Sequence, residues 1–193
     1  GFGRSHPYPF DSLDADANIL TPDDIMAGQI PQGPTLVYDD DSFYMGGLVA
    51  EQICLAGQPV TLVTPEDVVS AWCDYTSERF YVQKRLLDLG VVLQTGHQLL
   101  SYDAQNVRIV SAYTDQEQSI RADTLVMVTA RQPNDGLYQT LNERFQHELP
   151  PDVPTLHRIG DCEAPAIIAA AVYAGHRYAR ELDATPDTAP RYE

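Results

Sequence analysis

Basic residues are scarce in this chain: 12 Lys or Arg stand against 28 Asp or Glu in 193 residues, a formal charge of −16. So acidic a surface repels phosphate backbones and anionic headgroups, so neither nucleic acid nor a membrane is expected as a partner. Long apolar runs are missing too. No stretch approaches the roughly 20 residues of a membrane span, and the opening Gly1-Phe2-Gly3-Arg4-Ser5-His6-Pro7 has no charged-then-apolar signal pattern. A cytoplasmic location is the resulting expectation, and a start without Met suggests a piece excised from a longer protein. Cysteine is limited to Cys54, Cys73 and Cys162, an odd number without a CxxC pair, which argues against a disulfide framework or a metal cluster. His97, His147, His157 and His176 lack metal-ligand spacing, so no metal site is expected.

The absence with the largest consequence is of glycine at one turn. Thr35-Leu36-Val37-Tyr38 reads as a buried strand, residues 46–56 as a helix closed by Gly57, and Val60-Thr61-Leu62-Val63-Thr64 as a second strand. Strand, helix and strand over residues 35–64 have the length of a βαβ unit, with Gly46 and Gly47 where the turn enters the helix. In a dinucleotide site the first glycines of that turn let backbone N–H groups approach the pyrophosphate. Here Asp39, Asp40 and Asp41 occupy those positions, adding side chains where backbone must come close and negative charge where the ligand is anionic. The acid that accepts the ribose hydroxyls at the end of the second strand is replaced by Thr64, with Glu66 and Asp67 following Pro65. The residues describe a dinucleotide fold with a degenerate site.

Around this unit, residues 1–34 are punctuated by proline. Thr21-Pro22-Asp23-Asp24 carries a helix start, with Thr as N-cap, Pro first and acids in the first turn. A helix is expected from Thr76-Ser77-Glu78 through Leu89 with Phe80, Leu86, Leu87 and Leu89 as its apolar face, then a strand over residues 91–95. Residues 98–121 read as a β-meander and 123–130 as a buried strand. A helix over residues 134–147, a short strand over 156–161, an alanine-rich helix over 165–182 and a disordered tail from Thr185 complete the expectation. The only Trp, Trp72, is expected to pack in a loop. The fold class is α/β, a Rossmann-like FAD/NAD(P)-binding-type domain with a central parallel sheet plus a β-meander.

Two further constellations bear on chemistry. A strand ending in Asp39-Asp40-Asp41 is also what haloacid dehalogenase-like phosphatases present, with Asp39 as nucleophile and Asp41 as acid or base; Thr64, Lys84 and Gly160-Asp161 supply the remaining motifs of that reading. It fails where Gly46-Gly47 open a helix and where Pro165 stands in place of a second acid. Gly160-Asp161 before the last helix is the turn that faces flavin ribityl and phosphate groups in two-domain disulfide-reductase-like folds, or Asp161 caps that helix. Tyr173, His176, Arg177 and Arg180 share one helical neighbourhood, a docking face or a solvated one.

Together Val37-Tyr38-Asp39-Asp40-Asp41-Ser42-Phe43-Tyr44-Met45-Gly46-Gly47, Val60-Thr61-Leu62-Val63-Thr64-Pro65, Val128-Thr129-Ala130-Arg131, Ile159-Gly160-Asp161-Cys162-Glu163-Ala164-Pro165 and residues 174–181 resemble the C-terminal part of trimethylamine dehydrogenase-like iron-sulfur flavoproteins. That group includes dimethylamine and histamine dehydrogenases and N-methylproline demethylase-like proteins and, more distantly, 2,4-dienoyl-CoA reductase. The resemblance implies a parent enzyme with an FMN-holding barrel of the old yellow enzyme type, a 4Fe-4S cluster, and paired nucleotide-binding-like domains holding ADP or FAD. It further implies a homodimer and, in the amine dehydrogenases, an electron-transfer flavoprotein as acceptor. Residues 1–32 then form a connecting segment from the ADP/FAD-type domain, 33–130 the inserted NAD(P)-domain-like unit, 131–183 the return segment and 184–193 a tail. Gly46, Gly47, Gly160, Asp161 and Ala166 are the candidate cofactor-binding positions, and no catalytic residue is assigned. The aspartate turn sides with an amine dehydrogenase; the alternative is an NAD(P)H-dependent reductase of the dienoyl-CoA type. Without barrel or cluster cysteines, this stretch by itself is expected to be inactive.

Overall fold

The computed structural model describes residues 12–13, 18–145 and 155–182. They fall into two compact units, one within Arg4–Ala130 and one within Arg131–Glu193. The first is a layered α/β unit. Its strands β2 (Ile19–Leu20), β3 (Thr35–Asp39), β4 (Val60–Val63), β5 (Val92–Gln94) and β9 (Thr124–Val128) form a wholly parallel sheet in the order β2-β9-β3-β4-β5. A second sheet has the antiparallel strands β6 (His97–Tyr102), β7 (Asn106–Ser111) and β8 (Glu117–Arg121), with β1 (Ser12–Leu13) joined parallel to β6.

Alternation along the strands decides which residue faces which layer. Val37 on β3, Leu62 on β4 and Val126 and Val128 on β9 belong to one core with Val49, Ala50 and Ile53 of helix α2 (Tyr44–Leu55) and Leu86 of α3 (Arg79–Asp88). Leu36 and Tyr38 belong to a second core, with Leu125 and Met127, and with Leu99, Val107 and Ile109 from the other sheet. Burial on both faces explains the continuous apolar runs of β3 and β9. The same parity puts Asp39 on the helix side, two residues beyond Val37.

Helix α1 (Pro22–Met26) starts as its sequence dictates. The Thr21 hydroxyl accepts from the Asp24 N–H at 3.4 Å, and the Asp24 carboxylate accepts from the Thr21 N–H at 2.7 Å, a reciprocal capping box. Helix α3 departs from expectation. Thr76 does not cap it; its hydroxyl instead donates to the Cys73 carbonyl at 3.1 Å, and the helix begins at Arg79. Only Leu86 of the expected apolar face is buried, with Leu89 packed beside it, whereas Phe80 and Leu87 face water. Residues 86 and 87 lie about 100° apart around a helix, so both cannot point at α2.

Trp72 also differs from expectation. It lies on a 3₁₀ turn, Ala71–Asp74, is 53% exposed, and stacks on Tyr75 with ring centroids 5.6 Å apart.

In the second unit, α4 spans Gly136–Phe145 and α5 spans Ile168–Glu181. Arg158 pairs with Asp135 and lies over the Tyr138 ring at 4.7 Å. The strand expected over 156–161 is replaced by an irregular run into a 3₁₀ turn, Gly160–Cys162. Gly160 has φ +62°, and its carbonyl accepts from both the Glu163 and Ala164 N–H groups, so the chain turns there; no strand among the described residues of this unit is available to pair with it. His147 and the expected tail lie outside the described residues.

Neighbouring leucines on α3 make a direct test. Leu86→Ala should lower the stability measured by urea denaturation by about 2–4 kcal/mol, while Leu87→Ala should change it by less than about 0.5 kcal/mol. Equal effects would show a different helix face buried against α2.

Candidate dinucleotide turn

The β3–α2 turn is assembled from three interactions. The Asp40 N–H donates to the Val128 carbonyl at 2.9 Å, extending the β3–β9 ladder by one bond. Ser42 takes a left-handed conformation, φ 57°, which aims its N–H back at the Asp39 carboxylate, Oδ1 accepting at 3.0 Å. The Ser42 carbonyl in turn accepts from the Trp72 N–H at 3.0 Å, so the 3₁₀ turn is tied across the β3–α2 connection.

The three aspartates are not equivalent. Asp39 is fully buried, Asp40 half-buried and Asp41 exposed. Asp39 Oδ2 has no hydrogen-bond partner. Burial, and secondarily the neighbouring acids Asp41 and Asp40, push its carboxyl up to about 7, against the pull of the Ser42 and Asp41 N–H groups. Asp40 rises to about 6 through partial burial and the nearby charges of Asp41 and Glu66.

Both predicted glycines lie in the first turn of α2, and each is pressed by a neighbour. A Cβ placed on Gly46 would overlap the Asp39 carboxyl outright and come within 2.7 Å of the Asp39 Cβ. A Cβ on Gly47 would stand 2.9 Å from Val82 Cγ1 of α3. Gly46 therefore makes room for Asp39 and Gly47 for α3. The space against Gly46 is taken by the Asp39 side chain.

The ribose end follows the same pattern. Thr64 is fully buried; its hydroxyl accepts from the Glu66 N–H at 3.3 Å within its own turn, and its carbonyl accepts from the His97 N–H at the start of β6 at 3.0 Å. Glu66 is exposed, and Asp67 pairs with the Tyr113 hydroxyl. Neither stands in the Thr64 position.

Of the positions in the second unit, Gly160 and Asp161 share the 3₁₀ turn, with Asp161 exposed. Asp161 does not cap α5: the N-cap is Ile167, without a side-chain cap, and Ala166 precedes it in the exposed lead-in. Arg177 pairs with Glu181 at 3.1 Å on the same helix, and Tyr173, His176 and Arg180 are exposed. For the phosphatase reading, Asp39 presents no carboxylate to solution, and Lys84 is paired with Asp88 on the surface of α3. Sequence reasoning missed Ser42 and the contact between Asp39 and Gly46; the signal that finds them is the parity of Thr35, Val37 and Asp39 along β3.

No protein-family model matches the chain. It is 29% identical to dimethylamine dehydrogenase from Hyphomicrobium sp. (strain x), over 98% of this chain and 28% of that protein. Among solved structures, histamine dehydrogenase from Rhizobium sp. 4-9 superposes on the whole chain with a TM-score of 0.86 and 40% identity, covering 30% of that protein. The 6-hydroxypseudooxynicotine amine oxidase from Pseudomonas geniculata N1 matches 91% of the chain at 32% identity and TM-score 0.80, covering 26% of its own length. The chain thus spans under a third of the length of the relatives it matches.

Because folding raises the Asp39 carboxyl from an ordinary 3.8 to about 7, stability is fully present below about pH 3.8 and is lost as pH climbs through about 7. Asp39→Asn keeps the acceptor for Ser42 and removes the ionisation. The stability gap between D39N and the unsubstituted chain should widen in favour of D39N by roughly 3–4 kcal/mol between pH 4 and pH 8, with Asp40 common to both. Urea denaturation at the two pH values checks this, and a constant gap would mean that Asp39 ionises as freely as in water.

Proposed function

The chain belongs to the trimethylamine dehydrogenase-like family, and from that premise we propose that it is the C-terminal, nucleotide-binding-like portion of a cytoplasmic, homodimeric amine dehydrogenase with FMN and a 4Fe-4S cluster. Its first unit is a dinucleotide domain that no longer takes a dinucleotide. The observation that carries this reading is the fully buried Asp39 side chain lying against Gly46 in the first turn of α2.

In such an enzyme a flavin supplies two-electron acceptance and a cluster a one-electron relay. Among the described residues no three His, Cys, Asp or Glu group to hold a metal, and Cys73 is buried and free; in this reading the part of the polypeptide beyond this chain holds both groups. The return segment with Gly160, Asp161 and Ala166 would face ADP or FAD of the paired domain. The residues of this chain then act in two ways: the parallel sheet and its helices hold the architecture by packing, and the exposed Tyr173, His176, Arg177 and Arg180 of α5 help position an electron-transfer flavoprotein. A nicotinamide-dependent reductase needs a turn open to phosphate, which Asp39 opposes.

Isothermal titration of this chain with NADH or NADPH should detect no binding as tight as about 10 μM, roughly −7 kcal/mol. Binding tighter than that would move the assignment to the nicotinamide-dependent branch.

The docking role has its own test in the full-length enzyme. Arg177→Glu with Arg180→Glu should change the second-order rate of electron transfer to the flavoprotein acceptor several-fold at low ionic strength, the effect shrinking as salt is added. An unchanged rate would leave the domain as a structural spacer.

A further inference from the structure

We propose that Asp39 is a built-in occupant of the phosphate position, so that this domain is closed to phosphorylated ligands by a side chain filling the site rather than by the repulsion of the acidic turn. The inference rests on reading the first unit as a dinucleotide fold without its dinucleotide, and it assigns that loss to a single residue.

Three observations carry it. First, the period-two alternation of β3 sends Asp39, like Val37, to the helix side of the sheet, while Asp41 is exposed and Asp40 half-buried. Second, the Asp39 carboxyl takes up volume directly over Gly46, where an added Cβ would overlap it. Glycine in the first turn of the helix allows close helix–strand packing in a dinucleotide fold; here its bare Cα receives a carboxyl from within the chain, at the helix end where an anion is favoured. Third, the turn grips the carboxyl through a backbone N–H. Oδ1 accepts from the Ser42 N–H at 3.0 Å, while Oδ2, buried and aimed at the first turn of the twelve-residue α2, has no partner of its own. The Trp72 N–H bond to the Ser42 carbonyl holds in place the residue that grips it.

Occupancy and repulsion predict different behaviour from two substitutions of the same residue. Asp39→Asn keeps the volume and discards the charge; Asp39→Gly discards both. The probe is inorganic pyrophosphate, titrated calorimetrically into each variant of this chain at pH 7.5. Under the proposal D39G binds with a Kd of about 1 mM or tighter, the remaining acids Asp40, Asp41 and Glu66 keeping the affinity modest. D39N and the unsubstituted chain bind at least about tenfold more weakly. Binding by D39N equal to that of D39G would show charge to be the barrier and overturn the proposal. Binding by none of the three would overturn it too, since the site would then be closed by something else. Pyrophosphate binding by the unsubstituted chain would remove the reading of a degenerate site itself.

Gly46→Ala gives a check that does not depend on D39G folding. With Asp39 in place, G46A should lower the thermal midpoint by about 10 °C or more, and an unchanged midpoint would show that Asp39 does not fill the space over Gly46. Where D39G folds, adding G46A to it should cost much less than that. A full loss in that background would mean Gly46 is required for some other neighbour.

Discussion

A carboxyl group taken wholly out of water at the end of the central strand is the constraint around which the first unit is arranged. Asp39 cannot turn to the opposite face, where Tyr38 and Leu36 fill the second core, without reversing the register of β3 against both β4 and β9. It must therefore lie against α2. The helix can approach only because Gly46 has no side chain, and the carboxyl can be gripped only because Ser42 adopts a left-handed backbone. A buried group of this kind is costly, and the unit tolerates it through two apolar cores, one on each face of the sheet.

Gly46 makes room for a side chain of its own chain, Asp39. Similarity to dimethylamine dehydrogenase and histamine dehydrogenase extends over nearly the whole chain.

Much of this was legible in the sequence because the signals are local. Apolar runs bounded by Pro34, Gly57 and Gly90 gave the strands and helices of the βαβ unit, and Thr21-Pro22-Asp23-Asp24 gave the N-cap, the leading proline and the first-turn acids of α1. The meander followed from polar turns between short alternating segments. What was not legible depended on partners distant in the chain. Three consecutive aspartates look alike until the core parity of β3 selects one. Phe80 and Leu87 are apolar yet exposed, because α3 offers α2 only a narrow stripe through Leu86. A strand at 156–161 needed a neighbour to pair with, and no amount of local β-propensity supplies one.

Trp72 has a consequence of an optical kind. It is the only tryptophan of the chain, stacked on Tyr75, half in water, and joined by one backbone hydrogen bond to the Ser42 carbonyl beside the buried carboxyl. Its emission is thus a local gauge of the turn and its strap, largely blind to the two cores beneath. Loosening of the mouth and melting of the sheet are separable by colour: the first in the indole fluorescence, the second in the far-ultraviolet dichroism of the backbone.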